Sequence, residues 1–171
     1  MFKPNGYYKH VKDIDYNKLK KQGIKLLAFD LDNTLDIPDI MTKDILPEVS
    51  STLDTLEKEG FDIFIISNNK IQGRVESFAK LRKYEYLEWA RKPFLGQYKK
   101  SEYINKYNKN EICFIGDKIV TDVIGGRRFG SHTILVDPLD DKTVHWYTKI
   151  MTFSENLFSK IIGFKRGKYY E

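Results

Sequence analysis

The chain has 171 residues, the length of one domain with a substantial core, and its 41% hydrophobic and 31% charged residues are an ordinary globular composition. Its 29 basic residues exceed its 24 acidic ones, and the net charge of +5 suits an anionic partner without naming it. The single cysteine excludes an intrachain disulfide and a cysteine-based zinc site. No window is apolar enough to span a bilayer, and the N-terminus lacks an apolar signal core, so we expect a cytoplasmic protein.

Short apolar runs alternate with stretches of helical spacing along the chain. Helices are predicted over residues 47–59 and 71–83, with two more over about 98–107 and 119–129. This alternation predicts an α/β fold, a Rossmann-like three-layer α/β/α arrangement around a mainly parallel sheet. The predicted strands cover residues 24–30, 61–67, 111–117 and 132–137, with a weaker strand near Tyr86 and Leu87.

Polar side chains follow three of these strands. Asp30 and Asp32 end the first run, Ser67 and Asn68 end the second, and Asp117 ends the third. Ligand sites in parallel sheets lie beyond the carboxyl ends of the strands, so we expect these residues to converge on one crevice. Each could instead cap a turn or a helix, which is the more common role of such a residue taken alone.

The predicted cluster has the chemistry of a magnesium and phosphate site. Asp30, Asp117 and the nearby Asp122 supply carboxylates, which suit Mg²⁺ better than zinc. Ser67 offers a hydroxyl group, and Lys92 in the segment "RKP" could neutralise phosphate charge. Taken alone, Lys92 would be read as a surface lysine.

These residues, in this order, resemble the four motifs of the haloacid dehalogenase (HAD) phosphatase superfamily. Asp-x-Asp-x-Thr matches residues 30–34, the Ser/Thr and Lys motifs match Ser67 and Lys92, and Gly-Asp-x(4)-Asp matches Gly116-Asp117 with Asp122. "GIKLLAFDLDNTL", "KP" and "GDKIVTDVIGGRRFGSHTILVDPL" are similar to the YqeG-type phosphatases of subclass IIIA. The likeness covers roughly residues 5–155. Lys118 and Arg127 depart from that pattern, where Gln and Asn are frequent.

The resemblance implies an Mg²⁺-dependent phosphomonoester hydrolase that acts through an aspartyl phosphate. Asp30 would be the nucleophile, and Asp32 would act as the acid and base. Mg²⁺ would be held by Asp30, the backbone carbonyl of Asp32, Asp117 and Asp122. The transferring phosphoryl group would be bound by Ser67, Asn68 and Lys92.

The intervals between the motifs are too short for a cap domain, so we expect an HAD-like core over residues 1–141 with an open site. Residues 142–171 carry four net positive charges and apolar residues at helical spacing, including Trp146, Phe153 and Phe164. This pattern predicts a basic amphipathic helix, packed on the core or peripheral at the inner face of the membrane. YqeG-type proteins resemble mitochondrial phosphatidylglycerophosphate phosphatases, so that phospholipid is the leading predicted substrate.

Other functions remain open from the sequence. One is a soluble HAD phosphatase that acts on a small metabolite or nucleotide. A non-catalytic phospho-aspartate switch uses similar residues, but its lysine follows the other motifs, whereas Lys92 precedes Asp117. No specific nucleic-acid partner is expected, because the aromatic residues follow core periodicity. The sequence does not determine the oligomeric state.

Overall fold

The structure is a computed structural model, and it describes residues 3–38, 43–139, 157, 159–160 and 163–170. The described residues contain six strands. They are β1 (Gly6–Tyr8), β2 (Leu26–Phe29), β3 (Asp62–Ile66), β4 (Glu85–Leu87), β5 (Ile112–Gly116) and β6 (His132–Val136).

The six strands form one sheet in the order β1-β6-β5-β2-β3-β4, and every ladder between neighbours is parallel. Strand β2 lies at the centre, where Phe29 is in register with Ile65 of β3 and Ile115 of β5. The predicted parallel α/β fold is confirmed. The carboxyl ends of β2, β3 and β5 therefore meet at one edge of the sheet.

Helices cover both faces of the sheet. Helix α2 begins at Pro47, whose missing N–H suits a first helical turn, and it buries Val49, Leu53 and Leu56 at the predicted spacing. The segment predicted as a helix over 119–129 is a π-helical turn (Ile119–Val123) that continues into a helix. The α-helices in the described residues are α1 (Tyr16–Lys21), α2 (Pro47–Lys58), α3 (Arg74–Arg82), α4 (Gly96–Lys100) and α5 (Ile124–Phe129).

Strand β2 shows how the sheet divides the core. Leu27 and Phe29 pack into the cluster that includes residues of α2 and α3, whereas Leu26 and Ala28 pack into the cluster that includes residues of α4 and α5. All four side chains are fully buried. Burial on both faces explains why β2 is a continuous apolar run and does not alternate with polar residues.

The first described segment of the chain forms an edge strand that the sequence pattern did not predict. Strand β1 pairs with β6, and Tyr7 also pairs antiparallel with Tyr170. Phe164 is buried against Tyr7, with ring centroids 5.0 Å apart. Residues 163–170, called the C-terminal segment below, therefore pack on the core.

The predicted C-terminal helix is described only in part: residues 157, 159 and 160 are helical, whereas residues 163–170 do not form a helix. The rest of that helix and the predicted boundary at residue 141 lie outside the described residues, so both stay predictions. Among the helices that the structure describes, we find none with the length and hydrophobicity required to cross a bilayer.

Gly126 tests the packing of α5 on the sheet. A β-carbon there would lie 2.6 Å from Thr133 Cγ2 and 3.0 Å from Phe114 Cβ. We expect Gly126→Ala to lower the free energy of unfolding by about 1–3 kcal/mol, measured by urea denaturation, because overpacking outweighs the better helix propensity of alanine. Gly96→Ala is the control, since nothing lies within 4 Å of its β-carbon position. Equal stability of the two variants would contradict this packing.

Candidate active site

The carboxyl edge of the sheet carries the residues that the sequence predicted to converge. Asp30, Ser67 and Asp117 directly follow β2, β3 and β5. All three side chains are buried, and the backbone N–H of Asp30 donates to the Ile115 carbonyl at 2.8 Å. The pairing of three neighbouring strands thus brings together residues that are far apart in the chain.

Three carboxyl groups share this position. Asp30, Asp117 and Asp122 each offer an oxygen within 4.8 Å of the others, and all three residues are buried. Like charges that are close together and shielded from water repel one another strongly. This acidic cluster therefore requires a cation.

Lys92 supplies part of that positive charge. Its Nζ lies 2.5 Å from Asp30 Oδ1 and 2.6 Å from Asp122 Oδ1, and it also donates to the Ile66 carbonyl at 3.0 Å. Burial by itself would lower the pKa of Lys92, but Asp122 and Asp30 outweigh it and hold that pKa above its usual range. Lys92 therefore remains protonated between the two carboxylates.

Asn68 fixes the backbone of Lys92. Its side-chain amide accepts a hydrogen bond from the Lys92 N–H at 2.7 Å and donates to the Lys92 carbonyl at 3.0 Å. The same loop has an internal bond, because Ser67 Oγ accepts from the Asn69 N–H at 3.0 Å. The side chain of Asn68 positions Lys92, while phosphate binding by Asn68 and Ser67 stays a prediction.

The carboxylate of Asp32 has different hydrogen-bond partners from those of the acidic cluster. Its carboxylate accepts from Asn69 Nδ2 at 2.7 Å and from Arg74 Nη2 at 3.2 Å. Arg74 is fully buried and also pairs with Asp36 at 2.7 Å. These contacts fix the orientation of Asp32 beside the nucleophile candidate Asp30.

The sequence analysis did not identify Arg74 as part of the site. The available signal was the second acidic residue, Asp36, four positions after Asp32 in a buried turn. Two carboxylates in such a turn require a cation nearby, but the sequence does not show that Arg74 of α3 supplies it.

The position of the Asp122 carboxyl group requires a glycine, Gly116, at the end of β5. The Lys118 N–H donates to Asp122 Oδ2 at 3.0 Å, which turns the π-helical segment back toward the sheet. A β-carbon at Gly116 would overlap the Asp122 carboxyl group. The glycine is therefore required for the close approach of Asp122 to the strand end.

The two residues that depart from the YqeG-type pattern lie in different places. Lys118 Nζ contacts Asp117 Oδ1 at 3.2 Å, so it adds positive charge to the acidic cluster. Arg127 donates to Asn5 Oδ1 at 3.0 Å, near the start of β1. Lys118 thus belongs to the site, whereas this Arg127 contact is with the segment that precedes β1.

Arg166 of the C-terminal segment also contacts the site, which the sequence analysis did not predict. Its Nη2 donates to the backbone carbonyl of Asp117 at 2.7 Å, and its Nη1 lies 3.4 Å from Asp137 Oδ1. Asp137 in turn accepts hydrogen bonds from the hydroxyls of Tyr7 and Tyr169. These contacts attach the C-terminal segment to the backbone of a candidate metal ligand.

The electrostatics of the cluster fit a hard divalent cation. Burial raises the pKa of Asp30 to about 7 even though Lys92 opposes the shift, and burial also raises the pKa of Asp117. Three carboxylates face two ammonium groups, those of Lys92 and Lys118, which leaves one negative charge uncompensated. An all-oxygen donor set with excess negative charge fits Mg²⁺, which would hold the carboxylates ionised.

Comparison with known proteins agrees with this site. The family model described as mitochondrial PGP phosphatase matches residues 1–139. The chain belongs to this phosphatase family. The predicted relationship to phosphatidylglycerophosphate phosphatases is thereby confirmed, and the chain is a phosphatase.

Two curated relatives support the assignment. The chain is 33% identical over 141 residues to the "probable phosphatase YqeG" of Bacillus subtilis, which covers 81% of this chain and 78% of that protein. It is 28% identical over 144 residues to phosphatidylglycerophosphate phosphatase 1, chloroplastic/mitochondrial, of Arabidopsis thaliana. That match covers 80% of this chain and 41% of the plant protein.

Solved structures support the fold. An HAD phosphatase from Thermococcus onnurineus superposes with a TM-score of 0.53 at 14% identity, over 84% of this chain and all of the other. An uncharacterized protein from Listeria monocytogenes gives the same TM-score at 16% identity, over 71% of this chain and 85% of that one. At these identities the likeness concerns the fold alone.

Arg166 provides a test of the acidic cluster as a metal site. We expect Arg166→Gln to weaken Mg²⁺ binding by about tenfold, because removing a group that orients a ligand typically has at least that effect. Isothermal titration calorimetry with MgCl₂ measures the change.

The control for this test is Lys165→Gln, which removes the same charge from the neighbouring, exposed position. If Arg166→Gln binds Mg²⁺ as tightly as Lys165→Gln, Arg166 does not position Asp117 for the cation. If the unaltered protein binds no Mg²⁺, the cluster is not a metal site.

Proposed function

We propose that this phosphatase hydrolyses phosphomonoesters with Mg²⁺ through an aspartyl phosphate on Asp30. The observation that carries the proposal is the position of the Asp30 carboxylate at the end of the central strand. It lies 2.5 Å from Lys92 and within one cluster with Asp117 and Asp122. A carboxylate beside positive charge in a buried position is suited to attack an electrophilic phosphorus.

In the first step, an Asp30 oxygen forms a bond to phosphorus as the bond to the ester oxygen breaks. Asp32 donates a proton to the departing oxygen, so that an alcohol leaves. The contacts of Asp32 with Arg74 and Asn69 fix the direction of that carboxyl group. In the second step, Asp32 takes a proton from water, which attacks the phosphorus and releases Asp30 and inorganic phosphate.

Phosphoryl transfer depends chiefly on charge stabilisation, and the residues of the site divide that task. Lys92 and Ser67 of the neighbouring loop would contact the transferring phosphoryl oxygens. Asp30, the Asp32 carbonyl, Asp117 and Asp122 would hold Mg²⁺. The bound cation offsets the negative charge of the cluster, which would otherwise repel a phosphate dianion.

We propose that the substrate reaches this site without passing a cap domain. The described residues between Asp30 and Ser67 form α2 and β3, and those between Ser67 and Lys92 form α3 and β4. No cap domain is present in these described intervals. An uncovered site suits a headgroup presented on a larger body, and the Arabidopsis relative is named for phosphatidylglycerophosphate, so we propose that phospholipid as the substrate.

The cellular location follows from the same proposal. An enzyme that acts on a phospholipid headgroup works at a membrane surface, so we propose a cytoplasmic protein in peripheral contact with the inner face of the membrane. The basic C-terminal region, residues 142–171, remains a candidate for part of that contact.

Replacement of the nucleophile tests the reaction. We expect Asp30→Asn to reduce Mg²⁺-dependent hydrolysis of p-nitrophenyl phosphate by about a thousandfold or more, because the amide cannot form the covalent intermediate. Asp44→Asn is the matched control, since Asp44 is exposed. Turnover by Asp30→Asn at the rate of the control would refute the assignment.

The role of Asp32 predicts a kinetic signature. The p-nitrophenolate leaving group needs little protonation, so Asp32→Asn should still form the aspartyl phosphate but should hydrolyse it slowly. Stopped-flow measurement should then show a burst of nitrophenol close to one equivalent per enzyme, followed by slow turnover. Slow turnover without a burst would indicate that Asp32 does not act in the second step.

A substrate panel distinguishes the proposed lipid phosphatase from a soluble metabolite phosphatase. We would compare kcat/KM for phosphatidylglycerophosphate in vesicles with those for sugar phosphates and nucleoside monophosphates. A higher kcat/KM for a soluble phosphate than for the lipid would favour the alternative.

A further inference from the structure

Three large apolar side chains are exposed on the two loops that carry Ser67 and Lys92. Ile71 is 46% exposed, Trp89 is 47% exposed and Phe94 is 66% exposed. Both loops, residues 67–73 and 88–95, leave the carboxyl ends of β3 and β4. We call these three side chains the apolar rim, because they lie on the same two loops as Ser67 and Lys92.

The apolar rim is fixed relative to the site. The Ala90 N–H donates to the Ser67 carbonyl at 3.0 Å, which joins the two loops directly. The pair of hydrogen bonds between Asn68 and the Lys92 backbone joins them a second time. The loop that carries Trp89 and Phe94 is therefore joined to the loop that carries Ile71 by contacts that include the Lys92 backbone.

The backbone of the second loop is constrained to keep this shape. Trp89 and Arg91 have φ values of 50° and 53°, a left-handed conformation that disfavours side chains larger than glycine. Such strain is typically kept where a loop serves a function. Here it accompanies a tryptophan that stays half exposed, whereas burial would stabilise the fold.

The charges around the rim specify the kind of partner. Lys70 Nζ lies 5.6 Å from the centre of the Trp89 ring, and Arg91 is exposed between Trp89 and Phe94. Glu88 is the one acidic residue within these two described loops. Tryptophan and phenylalanine beside lysine and arginine suit an anionic lipid surface, where the rings enter the headgroup boundary and the cations contact phosphates.

We infer that the apolar rim docks on an anionic lipid bilayer and holds the open site against the headgroups. This inference rests on the proposed function for the location of the substrate, and it assigns the membrane contact to the two loops instead of the C-terminal region. Ile71, Trp89 and Phe94 insert at the boundary, and Lys70 and Arg91 contact lipid phosphates.

Vesicle binding tests the inference without catalysis. We would sediment the full chain with vesicles of phosphatidylglycerol and phosphatidylcholine, and compare it with the double variant Trp89→Asn, Phe94→Ser. Asparagine is chosen because it tolerates a positive φ. We expect the double variant to bind anionic vesicles at least tenfold more weakly, with unchanged kcat/KM for p-nitrophenyl phosphate, which shows that the site is intact.

Leu81→Asn is the matched control, because Leu81 is also 47% exposed but lies on α3. Its vesicle binding should equal that of the unaltered chain. Equal binding by the control and the double variant would overturn the inference. A second double variant, Lys142→Gln with Lys149→Gln, removes two charges from the C-terminal region. If it loses vesicle binding while the Trp89→Asn, Phe94→Ser variant retains it, the inference is overturned and the contact lies in the C-terminal region.

Two further measurements separate this inference from its alternatives. Asp30→Asn should bind vesicles like the unaltered chain, so a failed reaction mechanism and a failed docking surface give different results. Sedimentation velocity in the absence of lipid should give the same mass for the unaltered chain and the double variant. A dimer that the double variant converts to a monomer would identify the rim as an interface between copies and overturn lipid docking.

Discussion

The structure depends on the burial of three carboxyl groups around the ammonium groups of Lys92 and Lys118 at the carboxyl edge of a parallel sheet. Removing charge from water is costly, and Lys92 does not neutralise Asp30, Asp117 and Asp122 by itself. The sheet core, buried on both faces of β2, offsets that cost. The uncompensated negative charge of these carboxylates also makes the cluster a candidate site for a divalent cation. The buried charge that lowers stability is therefore also the charge that would bind the metal.

Each candidate reacting group is oriented by a side chain from another part of the chain. Asn68 holds the backbone of Lys92, Arg74 holds Asp32, and Arg166 holds the carbonyl of Asp117. Such supporting contacts fix geometry that the reacting residues cannot fix alone. Arg166 lies beyond residue 139, where the match to the family model ends, so this part of the support comes from outside the matched region.

The surroundings of the site divide its opening into two sides. The C-terminal segment packs beside β1 and reaches Asp117, whereas the loops after β3 and β4 carry Lys92 and the exposed apolar rim. On the first side, Tyr7 contacts the ring of Phe164 and accepts a hydrogen bond from the Gly167 N–H. The second side presents rings and cations to whatever approaches. A substrate on a surface would meet the site from that second side.

Strands β2 to β6, the parallel fold, the family and the residues that converge were all predictable from the amino-acid sequence, because apolar periodicity and strand-end motifs are local signals. It did not determine β1, which has three residues at an edge, or α1, which has six residues and little apolar pattern. It also did not identify Arg74 and Arg166, since an arginine that pairs with a distant carboxylate or carbonyl has the same local pattern as an exposed one. Those contacts are visible only in the folded chain, because packing, and not sequence spacing, brings a buried charge to its partner.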